Sequence, residues 1–271
     1  MQGQIPKAGI MCGRFALAAT PDETAVFLGL DEIGDFPPRY NIAPTQPILA
    51  VLSAGPLAPG SNRSDRMAML VRWGLVPAWV KDPRDFPVLF NARSEEAAGK
   101  ASFKAAMRHR RALVPASGFY EWRKRPDGRK GEPYWIRPRQ GGLVAFAALV
   151  ETYAEPGGSE IDTGAILTTA ANTDLADIHE RMPVVIEQKD FQRWLDCRGH
   201  EPRDVADLLR PAEPGLFEAV PVSDRVNKVA NTDPAIQERG APAGMEAAPD
   251  PGHEKTRRRK AGATDGQMSL F

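Results

Sequence analysis

The sequence predicts an α+β fold, one domain built on a curled, mostly antiparallel, barrel-like β-sheet with flanking helices. Three observations predict it. The chain has 271 residues, 42% of them hydrophobic and 26% charged, enough to bury a real core. Short apolar runs recur along it, bounded by Gly, Pro, Ser and Asn. Short helical patterns lie between those runs.

The elements follow in order. Thr20-Pro21-Asp22-Glu23 is a capping box with proline in the first helical turn, opening a helix through Phe27 and Leu28. Ile48 to Leu52 and Met67 to Trp73 read as strands, joined by a long Gly/Pro/Ser/Asn hairpin loop. Ser102 to Arg108 reads as a helix. Ala112 to Trp122 and Tyr134 to Ile136 read as strands across the Pro126-Asp127-Gly128 turn. Leu143 to Val150 and Ala165 to Thr169 are two more. Asp174 to Glu180 reads as a short helix stopped by Pro183. Val184 to Ile186 is a strand, and Asp190 to Leu195 and Arg203 to Leu209 are helices.

Residues 240–271 are rich in Ala, Gly and Pro and read as a disordered tail. The expected organisation is an extension over 1–11, a domain over 12–239 and that tail. No apolar run approaches the ~20 residues that span a bilayer. The first ten residues lack the apolar segment of a secretion signal, so a cytoplasmic protein is expected. Two cysteines, Cys12 and Cys197, leave no disulfide framework and no all-cysteine zinc site; no metal or cofactor is expected. Cys197 reads as a partly buried residue without a role. Lys plus Arg equals Asp plus Glu at 35 each, so nucleic-acid binding would need a local basic patch.

Several stretches are polar where a pattern predicts core. They are Cys12-Gly13-Arg14-Phe15, RYNIAPTQ from Arg39, RWGLVPAW from Arg72, NARSE from Asn91, ALVPASGFYEW from Ala112, and TTAAN with HERMPVVI between Thr168 and Ile186. In this order they closely resemble the SOS response-associated peptidase family, the abasic-site processing proteins, from Met11 to about Pro234.

The resemblance implies a role for Cys12. An N-terminal cysteine holds an amine and a thiol on adjacent carbons. The amine, with a pKa of about 7.7–8.0, is partly neutral at pH 7 and condenses with an aldehyde. The thiol then closes a five-membered thiazolidine at the same carbon, an intramolecular and therefore favoured step. In the family the aldehyde is the ring-opened sugar of an abasic site in single-stranded DNA. The resemblance makes Asn91, Glu121 and His179 catalytic beside Cys12: Asn91 orients the cysteine, Glu121 moves protons, and His179 helps open the sugar ring. It places Arg93 on a phosphate, where a guanidinium fork binds bidentately, and Arg181, just beyond His179, reads as a second phosphate contact. Arg14, Asn41, Trp73 and Trp122 are the further DNA contacts expected, with the Ser223–Asn231 stretch a weaker one. Which tryptophan among Trp73, Trp79 and Trp122 is exposed is left open. The strand alternation puts Phe119, Glu121 and Arg123 on one face and Tyr120 with Trp122 on the other.

Two other readings stand beside the crosslinker. One is a cysteine peptidase that processes itself at Met11-Cys12 with help from Glu121 and His179. The other is a noncovalent single-strand binder recruiting partners through its tail. An acylated Cys12 nitrogen cannot form a thiazolidine, so either translation starts at Met11 or the extension is cut off. The last residues, Gln267-Met268-Ser269-Leu270-Phe271, resemble the pentapeptide that docks bacterial repair and replication proteins on the sliding clamp. A monomer is expected.

Overall fold

The computed structural model describes residues 12–55, 60–61, 63–125, 128, 131–155 and 157–240. The extension 1–11, the tail beyond Gly240 and the clamp-like residues Gln267, Leu270 and Phe271 lie outside the described residues.

Two sheets form the domain. One contains β1 (Phe15–Leu17), β2 (Arg39–Ile42), β7 (Gly118–Arg123), β8 (Glu132–Pro138) and β13 (Phe217–Pro221), in the order β13-β8-β7-β1-β2 and antiparallel throughout. The other contains β3 (Pro47–Ser53), β4 (Arg66–Trp73), β6 (Arg111–Ala116), β9 (Val144–Ala154) and β10 (Glu160–Ala170). Here β10 pairs with both β4 and β9, so the path β10-β4-β3-β6-β9 closes on itself as a barrel. Short strands extend its rim: β5 (Asn91–Arg93) and β11 (Arg181–Pro183) on β10, and β12 (Val185–Ile186) on β9.

The helices are α1 (Pro21–Leu28), α2 (Ser94–Ala97), α3 (Lys104–His109) and α4 (Phe191–Leu195). The capping box of α1 forms in both directions, and Gly29 ends the helix in the left-handed conformation. Alternate residues of the barrel strands face two clusters. Val144, Phe146 and Ala148 join a cluster shared with Phe15, Phe119 and Phe217 of the five-stranded sheet. Ala145, Ala147 and Leu149 join one shared with Leu28, Met107 and Trp194 of the helices. Covered on both faces, β6 and β9 read as continuous apolar runs.

Three expectations are corrected. The single strand expected from Ala112 to Trp122 is two strands in different sheets, with the break at Gly118. A Cβ at Gly118 would lie 2.3 Å from the Ile136 carbonyl oxygen and 2.7 Å from the Trp135 ring, so only glycine permits this approach. The helix expected over Asp174–Glu180 is a run of hydrogen-bonded turns: Asn172 and Leu175 carbonyls take Ala176 and His179 amides, but no regular ladder follows. The helix expected over Arg203–Leu209 is 3-10 from Pro202 to Leu208, its first turn closed by Glu201 and Asp204.

Candidate active site

Register builds the site. On β1 and β7, Phe15 faces Phe119 and Ala16 faces Gly118, and the Tyr120 amide donates to the Arg14 carbonyl. Continued one step, that antiparallel pairing brings the segment before β1 alongside Glu121. The Cys12 backbone nitrogen accordingly donates to Glu121 Oε1 at 2.6 Å. From the barrel side, β5 presents Asn91, whose Nδ2 donates to the Cys12 carbonyl at 3.4 Å. Three of the four predicted catalytic residues therefore meet across two sheets.

His179, the fourth, sits in the turn between β10 and β11. Its Nδ1 accepts the Arg181 backbone N–H at 3.1 Å, leaving Nε2 to carry the proton of the neutral ring. In its imidazolium form the ring would act electrostatically on the Glu121 carboxylate.

Burial sets the electrostatics. Glu121 is only 2% exposed. Desolvation raises its pKa, against the opposing pull of His179, the Cys12 hydrogen bonds and the Trp122 backbone N–H. The Cys12 thiol is pushed well up, first by burial and then by the Glu121 charge, with Arg181 pulling it back. The site thus keeps both groups protonated further up the pH scale than in water.

The two arginines come together through β10. Thr168 of β10 lies opposite Arg93 of β5 on one edge and Pro183 of β11 on the other. Arg93 is half exposed, with Glu96 3.7 Å away. Arg181 is more enclosed. Both ends of its fork meet Glu95, Nη1 to Oε1 at 2.7 Å and Nη2 to Oε2 at 2.8 Å, and Nη2 also donates to the Thr168 carbonyl. With Glu180, these residues line an open cleft of about 420 Å³.

The further DNA contacts expected do not all reach the surface. Trp73 is 0% exposed and donates its indole N–H to the Phe90 carbonyl, so its place is the core against Phe15, not DNA. Asn41 is buried too: its Nδ2 donates to the Val226, Lys228 and Asn231 carbonyls while its Oδ1 accepts from Arg14. Arg14 also donates to the Val226 carbonyl and lies over the Trp122 ring, 5.9 Å from its centroid. Trp122 is half-buried, with its indole N–H on Asn227. Arg14, Asn41 and Trp122 thus latch the Ser223–Asn231 stretch onto the five-stranded sheet. The exposed tryptophan is Trp79, at 60%, with Phe86 edge-on at 5.6 Å. Glu95 carries no local signal in NARSE, because its partner Arg181 is 86 residues away in sequence.

Among the described residues no three His, Cys, Asp or Glu side chains gather to hold a metal ion, and no helix is long and apolar enough to cross a membrane.

The sequence profile of the SOS response associated peptidase family matches residues 11–229. The chain is 36% identical to abasic site processing protein YoqW of Bacillus subtilis (strain 168) over 231 residues, 84% of this chain and 99% of that protein. It is 34% identical to abasic site processing protein YedK of Escherichia coli (strain K12), over 82% of this chain and 96% of that protein. A crystal structure of a protein from Bacteroides thetaiotaomicron superposes with a TM-score of 0.72 at 24% identity, covering 85% of this chain and all of the other, a likeness of fold.

Proposed function

The chain belongs to the SOS response associated peptidase family, and on that premise we propose that it captures abasic sites in single-stranded DNA as a thiazolidine on a free N-terminal Cys12. The observation that carries the reading is the 2.6 Å contact between Glu121 and the Cys12 nitrogen. A buried acid at that nitrogen is placed for each proton the reaction moves. The abasic-site names of the relatives support a DNA-lesion substrate.

The steps follow from the groups present. Once the peptide bond to Met11 is gone, the Cys12 nitrogen is an amine. It adds to the C1′ aldehyde, and loss of water, with Glu121 supplying a proton to the departing oxygen, leaves an imine. Sγ then adds to the imine carbon, and the thiol proton ends on the nitrogen. Overall, aldehyde and aminothiol give thiazolidine and water. A raised thiol pKa suits this order, since the amine attacks first and no standing thiolate is needed. His179 donates its Nε2–H to the sugar oxygen as the ring opens, the role its neighbourhood to Glu121 supports. Asn91 holds the Cys12 carbonyl, fixing the direction of the amine. Arg93 and Arg181 meet backbone phosphates.

One observation favours self-processing as a preparatory step. Cys12 has φ +36°, a left-handed conformation that costs a non-glycine residue about 1–3 kcal/mol and is relieved when the preceding peptide bond is cut. In that step Sγ attacks the Met11 carbonyl carbon as its proton passes to the Glu121 carboxylate, the nitrogen leaves with that proton, and water hydrolyses the thioester to the free thiol and a Met11 carboxylate.

The test is a denaturing gel. Protein and an oligonucleotide with one abasic site should give a slower band that survives denaturant. Cys12→Ala should abolish that band while leaving noncovalent DNA binding within about twofold. A full-strength band from Cys12→Ala overturns the proposal.

A further inference from the structure

The Arg181 guanidinium is already occupied by a ligand of the protein's own. Glu95 grips it with both carboxylate oxygens, at 2.7 and 2.8 Å, the fork-to-fork geometry that a phosphate also adopts. The two sides of this pair are unequal. The Arg181 side chain is 13% exposed and tied to the Thr168 carbonyl, whereas the Glu95 side chain is 51% exposed on the first turn of α2. Arg181 Nε is buried without an acceptor, so the carboxylate does not satisfy the whole group. The pair borders the open cleft with Arg93, and Arg181 acts electrostatically on Cys12.

We propose that Glu95 is an internal occupant of a phosphate seat at Arg181, displaced by a backbone phosphate of single-stranded DNA, and that it thereby sets DNA affinity. The proposal deepens the function argued above and rests on it. The displacement is an exchange: one anion leaves the guanidinium and another takes its place. The fixed partner is the enclosed arginine and the mobile one is the exposed glutamate. Binding then costs the rupture of one internal ion pair, which weakens loading on DNA without removing the site. Glu96 is a poorer occupant of Arg93, at 3.7 Å with both side chains about half exposed, and competes less.

The experiment measures affinity for an undamaged single-stranded oligonucleotide across a salt series, with melting temperatures recorded in parallel. Because no aldehyde is present, it is independent of the crosslinking chemistry. Glu95→Gln should bind about fivefold tighter, with the log–log salt slope close to that of the wild type, because the same phosphate reaches Arg181 in both proteins. Glu180→Gln removes the same charge from the same cleft without touching Arg181 and is the control. It should give less than half of that gain. The gain should vanish in Glu95→Gln/Arg181→Ala. Equal effects of Glu95→Gln and Glu180→Gln, or weaker binding by a Glu95→Gln protein of unchanged melting temperature, overturn the proposal. Should Glu95→Gln fail to fold, a structure of the wild-type protein with the oligonucleotide decides: the Glu95–Arg181 pair should be open, and an intact pair overturns it. Absence of any wild-type DNA binding would instead defeat the functional reading itself.

Discussion

In the proposed reaction Glu121 is the residue on which the chemistry turns. Its carboxyl is buried against the Cys12 nitrogen, the nucleophile of that proposal, and burial keeps its proton on to higher pH. Gln in its place keeps shape and a hydrogen bond but moves no proton. Glu121→Gln should therefore slow adduct formation at saturating DNA by on the order of 10²–10⁴-fold, with affinity unchanged. Single-turnover gels and a binding titration check the two halves separately. A variant that lost affinity but kept its rate would reassign Glu121 to DNA binding. At this scale the sequence was readable in part. Cys12, Asn91, Glu121 and His179 were found through their motifs, and the structure brings the first three into hydrogen-bonding contact. The burial of Trp73 and Asn41 was not readable, because their partners are set by the fold. The carbonyls that Asn41 serves lie 185–190 residues away.

Among the elements, β7 matters most, because it delivers Glu121 to Cys12 from a different sheet than the one β6 occupies. The switch happens in two residues, Ser117 and Gly118. An added methyl at Gly118 meets backbone at 2.3 Å, which no rotamer change relieves, and Gly118 φ is +154°. Gly118→Ala should cost on the order of 3 kcal/mol of unfolding free energy and reduce crosslinking by displacing Glu121. Denaturant titration and the crosslinking gel together check this; unchanged stability would mean that the sheet switch does not depend on glycine. The strand pattern alone ran straight through this point. Ala112 to Trp122 carries apolar, β-prone residues on both sides of Ser117-Gly118, and the approach of the Ile136 carbonyl that makes glycine necessary at the switch is one that only the fold brings about. Conversely, α1 was legible because its capping box and terminal glycine are local. The 174–180 segment carries a helix's spacing, but its turns stop where His179 Nδ1 takes the Arg181 amide.

Taken whole, the molecule joins a barrel that carries Asn91, Arg93 and Arg181 to a second sheet that carries Cys12 and Glu121. The fold class was legible because many short strands with intervening helices admit few packings. The barrel-like curl expected from the sequence is there as well; what only the fold reveals is the pairing that closes it, β10 parallel to β4. The proposed clamp contact through Gln267, Leu270 and Phe271 belongs to this scale. As a tether it would raise the domain's local concentration at a replication fork. A peptide of residues 264–271 should bind purified sliding clamp with about micromolar affinity, anchored by its two apolar side chains. Leu270→Ala with Phe271→Ala should abolish that binding and leave crosslinking in vitro untouched. No binding at hundreds of micromolar would remove the tether from the account.

The central claim is that Cys12, with its nitrogen free, closes a ring on the abasic sugar. Mass spectrometry of the proteolysed adduct tests it most directly. Trypsin cuts after Arg14, so the modified peptide should be Cys12-Gly13-Arg14 bearing the sugar remnant, at the sum of the two masses less one water. The bond should survive denaturation and proteolysis without borohydride, as a thiazolidine does and an isolated, unreduced imine does not. An adduct mapped to any other residue, or to a peptide still carrying Met11, would contradict the account.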